Sequence, residues 1–359
     1  MAKRAVICVK QPHLIIPQLP EYSIMIVNPD SPESRLTYLL DKSDYSLLIT
    51  ETGEVYRDGG DYANERILQY TSGTTGDSKF CGFTQAQLDY VIDQLISLFS
   101  LTPDDRYAGV MPLWHGHGQS FYWVTERLNC ERNFLAVKDV MSVPRYHPTF
   151  LTAIPHILKL FLRCDLPDLR FIRSGAAPMP QTLYYDLKEK FKVPVLESCG
   201  FTESLNIGFC NRPGREVQGT VGLPVGIEAR INQGHLEIKG PSLFVSGWYD
   251  TGDLAEQDPL GNFKLLGRSK DQINIKGIKI NPISLESQIT KSFDEIDEVV
   301  VFGTDSVKCL YTGSTEPMKI RKFLTSLGQY CQPTVIKQVD EIPLSPGGKV
   351  SRHFLNMLY

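Results

Sequence analysis

YTSGTTGDSK, residues Tyr70–Lys79, decides the reading of this 359-residue chain. Thr71, Ser72, Gly73, Thr74, Thr75, Gly76 and Ser78 are each a glycine or a hydroxyl-bearing residue, and the run ends in Lys79. It follows directly on Arg66–Tyr70, an apolar segment that reads as a strand. Glycines let successive backbone N–H groups turn toward one anion, hydroxyls add donors, and the lysine supplies a full positive charge. A phosphate group suits such a loop. The G-x-x-x-x-G-K-[ST] spacing of the P-loop is not met by Gly73 and Lys79, so this is a different phosphate loop or none. Composition alone leaves an ordinary solvated Ser/Thr/Gly turn as an equal alternative.

On both sides of the loop, short apolar runs alternate with amphipathic segments, the pattern of an α/β protein with parallel sheet. Ser23–Val27 and Leu47–Thr50 read as strands. Between them, Pro32 precedes a helix, ESRLTYLLDKS, that places Leu36, Leu39 and Leu40 on one face. Gln85–Phe99 has apolar residues at 88, 91, 92, 95, 96 and 99, a helical stripe. The strand Phe150–Ile154 leads into Pro155, a first-turn residue for IPHILKLFL, and Leu169–Arg173, Gln181–Phe191 and Val193–Leu196 form a strand–helix–strand unit. Near residue 270 the segments shorten. Strands Ile273–Lys276, Glu298–Phe302 and Thr334–Val339 with two helical stretches predict a small α+β domain over 271–359.

Composition narrows the function classes. Hydrophobic residues make up 42% and charged residues 22%, as in ordinary globular chains, which excludes a disordered protein. Lys plus Arg is 37 against 41 Asp plus Glu, a net charge of -4. A nucleic-acid binder normally carries the opposite balance, so none is expected as partner. No apolar run approaches the ~20 residues of a membrane helix, and Met1–Lys10 lacks the apolar core of a signal peptide, so a cytoplasmic location is expected. The eight cysteines form no CxxC pair and gather no histidines, predicting reduced thiols without a structural metal.

The loop Tyr70–Lys79 resembles the phosphate loop of the adenylate-forming superfamily, which comprises acyl- and aryl-CoA synthetases, the adenylation domains of peptide synthetases, and luciferases. Six further stretches match that family in its own order. MPLWHGHG (Met111–Gly118) is similar to its acyl-pocket motif and SGAAP (Ser174–Pro178) to its adenine-side turn. GFTE (Gly200–Glu203) and YDTGDL (Tyr249–Leu254) match the next core motif and the ribose motif. Gly267–Glu286 matches the hinge and following loop, and PLSPGGKVSR (Pro343–Arg352) the C-terminal lysine motif. The resemblance runs from about residue 25 to the end.

The resemblance implies an α/β fold: a multilayer large adenylate-forming domain over 1–268, a hinge at 269–270, and a small mobile α+β C-terminal lid over 271–359. ATP would be held by Thr71, Ser72, Gly73, Thr74, Thr75, Gly76 and Lys79, by Gly175, Ala176 and Ala177, and by Cys199, Gly200, Phe201 and Thr202. Glu203 would offer its carboxylate to Mg²⁺, and Asp253 and Arg268 would take the ribose hydroxyls. His115 would line the acid-binding region, Lys270 would be the hinge, and Lys276 with Gly277 would border the thiol channel. Lys349 would reach the substrate carboxylate and the α-phosphate, and Thr202, Glu203, His115 and Lys276 join it as catalytic candidates. Each type also has a bland reading: a capped helix start for GFTE, a surface ion pair for Arg268, a solvated lysine for Lys349.

The chain departs from the family pattern at Ser78, where Pro is favoured, at Phe80, where Gly is favoured, and at Cys199, where many members stack an aromatic on adenine. The 69 residues before Tyr70 predict a shortened first subdomain. The implied activity is an AMP-forming acid–thiol ligase acting on a small-molecule carboxylic acid, most directly with coenzyme A as co-substrate. A stand-alone adenylation protein loading a carrier protein's phosphopantetheine shares every motif, a nucleotide-binding pseudoenzyme is the third reading, and homodimer assembly stays open. No acidic residue lies between Met111 and Val124 to pair with a substrate ammonium, and Leu113, Trp114, Phe121 and Trp123 surround His115. That combination predicts hydrophobic or aromatic acids over free amino acids. Lys349→Ala should slow pyrophosphate release by ~10²–10³-fold, the effect of one lost transition-state donor, while thioester formation from supplied acyl-adenylate suffers far less. Near-normal release in that variant would remove the lysine from the mechanism.

Overall fold

In the computed structural model, residues 3–71, 78–343 and 350–359 are described. Among them, two sheets and their helices stack in the order helix, sheet, helices, sheet, helices. The first sheet has the strand order Gly53–Tyr56, Leu47–Thr50, Lys3–Cys8, Tyr22–Ile26, Ile67–Tyr70, Phe80–Phe83. Its four central strands are parallel, and an antiparallel strand closes each edge. The second sheet runs Leu223–Pro224, Gly208–Cys210, Val195–Gly200, Phe171–Ser174, Phe150–Ala153, Arg106–Gly109, Glu131–Phe134 and is parallel from Val195–Gly200 onward.

Helices Gln85–Phe99 and Gly116–Leu128 fill the space between the sheets. Leu88, Val91, Ile92, Leu95 and Phe99 share one core cluster with Ala5, Ile7, Ile24 and Ile67 of the first sheet and with Tyr107, Phe150 and Phe171 of the second. Thr84 starts the first of these helices with a reciprocal cap to Gln87, as Thr followed three residues later by Gln predicts. Helix Glu33–Ser43 covers the outer face of the first sheet through Leu39, and helices Pro155–Phe161 and Gln181–Phe191 cover that of the second. Strands buried on both faces read as continuous apolar runs, which is why the sequence betrayed them.

Several elements differ from the sequence expectations. Lys3–Cys8, unassigned from the sequence, is an interior strand of the first sheet, with Ala5, Val6 and Ile7 at 0% exposure. The strand expected over Val193–Leu196 instead runs Val195–Gly200, which carries Cys199 and Gly200 to the sheet's end. An antiparallel sheet, Glu228–Asn232, His235–Lys239, Tyr249–Gln257 and Phe263–Arg268, had no expectation at all. Half-exposed antiparallel strands rich in charge lack the apolar run that marks a buried one.

Beyond Arg268, a hairpin of Ile273–Ile275 and Ile278–Ile280 precedes a sheet of Ile296–Phe302, Val307–Gly313 and Pro333–Gln338. Lys276 is therefore a turn residue rather than the end of a strand. Three helices, Pro282–Ser292, Pro317–Ser326 and Arg352–Leu358, accompany these strands among the described residues, where two helical stretches were expected. This part has its own core around Ile289, Val301, Tyr311 and Leu324. No helix among the described residues is long and apolar enough to cross a membrane.

Arg352 ties the last helix to this core. Its Nη2 donates to Glu286 Oε1 at 2.6 Å and its Nε donates to the Val301 carbonyl at 2.9 Å, while the Val301 N–H donates to the same Glu286 oxygen at 2.7 Å. Burial pushes the Glu286 carboxyl upward, and Arg352 opposes that shift. Arg352→Ala leaves the Glu286 charge unmatched and should cost about 3 kcal/mol in denaturant unfolding. The double substitution Glu286→Gln, Arg352→Met should recover most of it, whereas an unchanged midpoint in Arg352→Ala would refute the pairing.

Candidate active site

The sequence motifs converge at the C-terminal ends of the parallel strands, where open α/β sheets bind ligands. Thr71 and Lys79 close a hairpin between Ile67–Tyr70 and Phe80–Phe83: Thr71 N–H donates to the Lys79 carbonyl at 2.9 Å, and Lys79 N–H to Thr71 Oγ1 at 3.0 Å. Ser72, Gly73, Thr74, Thr75 and Gly76 lie outside the described residues, as does Lys349. Ser78, which replaces the family's proline, is 7% exposed. Its hydroxyl donates to the Thr71 carbonyl at 2.6 Å and accepts from Arg35, and its N–H donates to Tyr38 Oη at 3.1 Å. A hydrogen-bonded serine thus holds the loop's base where a fixed proline φ would otherwise do so.

Lys79 meets Glu203 through a residue that the motif reading passed over. Lys79 Nζ donates to Tyr249 Oη at 2.5 Å, Tyr249 Oη donates to Glu203 Oε1 at 2.9 Å, and Lys79 Nζ stands 3.6 Å from that oxygen. Burial disfavours the Lys79 charge, but the bond to Tyr249 and the Glu203 carboxylate outweigh it and raise the lysine pKa. Thr202 and Glu203 form a short 3-10 turn after strand Val195–Gly200, and the Glu203 carbonyl accepts from Phe244 N–H at 3.0 Å. An ammonium and a carboxylate are thereby held beside each other through one tyrosine hydroxyl.

Asp253 and Arg268 are register partners on neighbouring antiparallel strands. Arg268 Nε donates to Asp253 Oδ1 at 2.9 Å and its Nη1 to the Thr251 carbonyl at 2.9 Å. Burial raises the Asp253 carboxyl to about 6 despite Arg268. Cys199 lies within electrostatic reach of both, and burial pushes its thiol up to about 12, so it stays neutral. Phe201 is 5% exposed and meets Phe209 edge-on in a core cluster, so its ring does not supply the adenine platform that Cys199 lacks. Gly175 is buried, while Ala176 and Ala177 are exposed and Ala176 has φ 64°.

His115 is the residue before helix Gly116–Leu128, and His117 is the helix's second residue. His117 is half-buried, with its Nε2 buried and without a partner, and desolvation, with Arg173 and His115 nearby, holds its pKa well below the usual histidine range. A Cβ at Gly116 would lie 1.7 Å from Asn206 Oδ1, so any larger residue there displaces the Asn206 side chain. Asn206 Nδ2 in turn donates to Gln69 Oε1 at 3.0 Å, and Gln69 donates to Gln119. This amide chain locks the helix start, the GFTE segment and the strand entering the phosphate loop together. Leu113, Phe121 and Trp123 are 4%, 0% and 8% exposed within the core cluster between the sheets, with Trp114 packed against it, so they report packing rather than an acid pocket.

Lys270 sits in the 3-10 turn Ser269–Asp271. Lys276 and Gly277, with φ 52° and 87°, make the two-residue turn of the hairpin after it, in which Asn274 Oδ1 accepts from Gly277 N–H at 3.0 Å. Both are exposed, and among the described residues no hydrogen bond or ion pair joins Lys276 to Thr202, Glu203 or Asp253. Tyr249, Asn206, Gln69 and Arg35 are the site residues that sequence reasoning missed. Tyr249 heads the YDTGDL motif itself, and only a chain contact across 170 positions reveals its hydroxyl's partner.

Asp253 makes the site pH-dependent. Because its pKa rises from 3.8 to about 6, the folded state keeps a proton that the unfolded chain releases. The stability this contributes is complete below pH 3.8 and disappears as the pH passes about 6. Asp253→Asn should flatten that slope in the free protein. A ribose needs the ionised carboxylate as acceptor, so the thermal shift given by ATP should be larger at about pH 7.5 than at about pH 5. Equal shifts at both values, or an unchanged pH difference in Asp253→Asn, would remove Asp253 from the nucleotide site.

The family of AMP-binding enzymes matches residues 63–244. Oxalate–CoA ligase of Arabidopsis thaliana is 28% identical over 87% of the chain and 73% of its own length. Sulfoacetate–CoA ligase of Cupriavidus necator is 26% identical over 80% of the chain and 65% of its length. Among solved structures, ATP-bound MatB from Rhodopseudomonas palustris superposes with a TM-score of 0.88 at 20% identity, covering 100% of this chain and 89% of that one. O-succinylbenzoate coenzyme A synthetase (MenE) from Bacillus subtilis, in complex with AMP, gives 0.84 at 22% identity, covering 98% and 88%. With the phosphate-loop base, the GFTE turn and the Asp253–Arg268 pair gathered at one edge, this chain belongs to the AMP-binding enzymes of the adenylate-forming superfamily.

Proposed function

We propose that the chain is an AMP-forming acid–thiol ligase. It joins a carboxylic acid to ATP as an acyl-adenylate with loss of pyrophosphate, and then transfers the acyl group to coenzyme A. The observation that carries this reading is the Lys79–Tyr249–Glu203 cluster, with Asp253 four residues along the strand that Tyr249 begins. One strand thereby supplies groups for the triphosphate end and the ribose end of a nucleotide.

The acid's carboxylate oxygen attacks the α-phosphorus and pyrophosphate leaves with the bonding pair. Lys79 offers its ammonium to the phosphate oxygens once Tyr249 and Glu203 release it. Mg²⁺ would be held by the single Glu203 carboxylate and the substrate's own oxygens, as suits a cation that keeps few protein ligands. Bound Mg²⁺ would neutralise charge on those oxygens. Asp253 accepts the ribose hydroxyls, Arg268 donates from the other side, and Lys349 stabilises the charge growing between carboxylate and α-phosphate. In the second step the thiolate attacks the acyl carbon and AMP departs. Positioning and fixed charges do the catalysis.

The domain division at 1–268 and 271–359, with Lys270 as pivot, belongs to the same reading. Lys349 has to leave before a thiol can approach, and Lys276 with Gly277 would border the thiol's path. The two relatives named above are ligases of oxalate and sulfoacetate, short acids with two anionic groups, and acids of that kind head the substrate panel. Pyrophosphate release with that panel, followed by coenzyme A-dependent AMP release, tests the function; transfer only to a carrier protein would replace the acceptor. Lys270→Pro fixes φ near −65° in the pivot. It should leave pyrophosphate release largely intact and lower thioester formation by at least ~10²-fold, since a gating step is lost. Parallel loss of both half-reactions would sink the hinge.

A further inference from the structure

The inner face of the second sheet changes character along its strands. At one end Phe150 and Phe171 stack with centroids 5.3 Å apart, and Tyr107 stacks on Phe150 at 5.1 Å. Two residues further toward the C-terminal ends, on the same face, the register partners are Thr152 and Arg173. Thr152 Oγ1 shares a hydrogen bond with Tyr107 Oη at 3.2 Å. Arg173 is 7% exposed, and its Nε has no hydrogen-bond partner. Its neighbours are the Cys210 thiol and the Phe121 ring, 5.4 Å from the guanidinium carbon, and among the described residues no carboxylate pairs with it. His117 stands close by with its Nε2 equally unpartnered.

An arginine in such a place needs a counter-charge. Buried charges in folded proteins are paired, because desolvation without a partner is strongly unfavourable. Two buried nitrogens without partners, Arg173 Nε and His117 Nε2, thus lie near each other at the strand ends that carry the candidate active site, and the arginine charge there calls for an anion that the chain does not supply. A cavity of about 10 Å³ adjoins Arg173, walled by Leu95, Leu98, Asn206 and Phe209. Asn206, in the cavity wall, follows Glu203 of the candidate active site by three residues. That space holds roughly one water. A short, compact group enters by displacing it, whereas an aromatic ring would have to push Leu95, Leu98 and Phe209 apart.

We propose that Arg173 receives a second anionic group on the acid substrate, so that the chain selects short carboxylic acids bearing a further carboxylate or sulfonate. This rests on the ligase reading and replaces the expectation of hydrophobic or aromatic acids, whose supporting residues are core. The first carboxylate reacts at the nucleotide; the distal anion docks on the Arg173 guanidinium, with neutral His117 as second donor.

Pyrophosphate release is measured with oxalate, malonate, sulfoacetate, butyrate and benzoate. At least one two-anion acid should exceed butyrate and benzoate by ~10²-fold or more in kcat/KM, since a site built for a polar group rejects analogues that lack it. Oxalate and malonate against sulfoacetate separate carboxylate from sulfonate. In Arg173→Met the preference for the best two-anion acid over butyrate should fall ~10²-fold, with Arg173→Lys keeping part of it. Should Arg173→Met not fold, thermal shift of the unmodified chain decides: the two-anion acids raise Tm at matched ionic strength and butyrate does not. Preference for butyrate or benzoate, or an unchanged preference in folded Arg173→Met, overturns the proposal. If no acid releases pyrophosphate, the ligase reading fails, and absence of a thermal shift with malonate and sulfoacetate then overturns the anion seat as well.

Discussion

Helices Gln85–Phe99 and Gly116–Leu128 have to satisfy two sheets at once, and the rest of the molecule follows from that constraint. Each sheet has parallel central strands, and such strands need cover on both faces. The two inner helices serve one face of each, so Ile7 and Ile67 of the first sheet and Phe150 and Phe171 of the second meet in a single cluster. A layer shared in this way fixes the sheets' strand ends relative to each other. The hairpin carrying Thr71 and Lys79 leaves one sheet, and the Gly175 turn and the Gly200 segment leave the other. They converge because the layer between them cannot slip without breaking the chain of Gln119, Gln69 and Asn206.

The site's charges are held in reserve by one another. Lys79 rests on Tyr249 and Glu203, and Asp253 rests on Arg268. Such pairs keep each ion solvated by protein in the free state, so that binding exchanges partners instead of creating bare charges. Tyr249 is well suited to the exchange, since its hydroxyl donates to the carboxylate while accepting from the ammonium and can give up both. Arg173 is the exception. Among the described residues no carboxylate pairs with it, and its Nε is left without a partner at the polar end of an otherwise aromatic face.

The part after Arg268 is built differently. Its core is independent, around Ile289, Val301 and Tyr311, and the helix Arg352–Leu358 is anchored through Arg352 to Glu286 and Val301. In the sequence Arg352 follows Lys349 by three residues. Asn281 caps the helix Pro282–Ser292 and also donates to the Leu266 carbonyl at 2.7 Å, which makes it the contact any pivot about Lys270 must accommodate.

The sequence by itself determined the layers and the motifs. Buried strands such as Leu47–Thr50 and the amphipathic stripe of Gln85–Phe99 carry their burial in their own pattern, and the loop from Tyr70 to Lys79 carries its chemistry in consecutive residues. Local order is enough for these, because hydrophobic period and turn composition are properties of neighbours in the chain. Lys3–Cys8 was legible in principle, through its run of Ala5, Val6 and Ile7, but its charged flanks masked the apolar core. The antiparallel strands from Glu228 to Arg268 were harder to read, since their buried residues, such as Leu236 and Ile238, alternate with polar ones over short stretches and never form an apolar run. What only the tertiary structure decided was partnership. Lys79 and Tyr249 stand 170 positions apart, and Arg173 looks in sequence like any arginine flanking a strand. Whether a charge is paired, exposed or buried alone depends on which distant segments fold over it, and no pattern within a window of the chain encodes that.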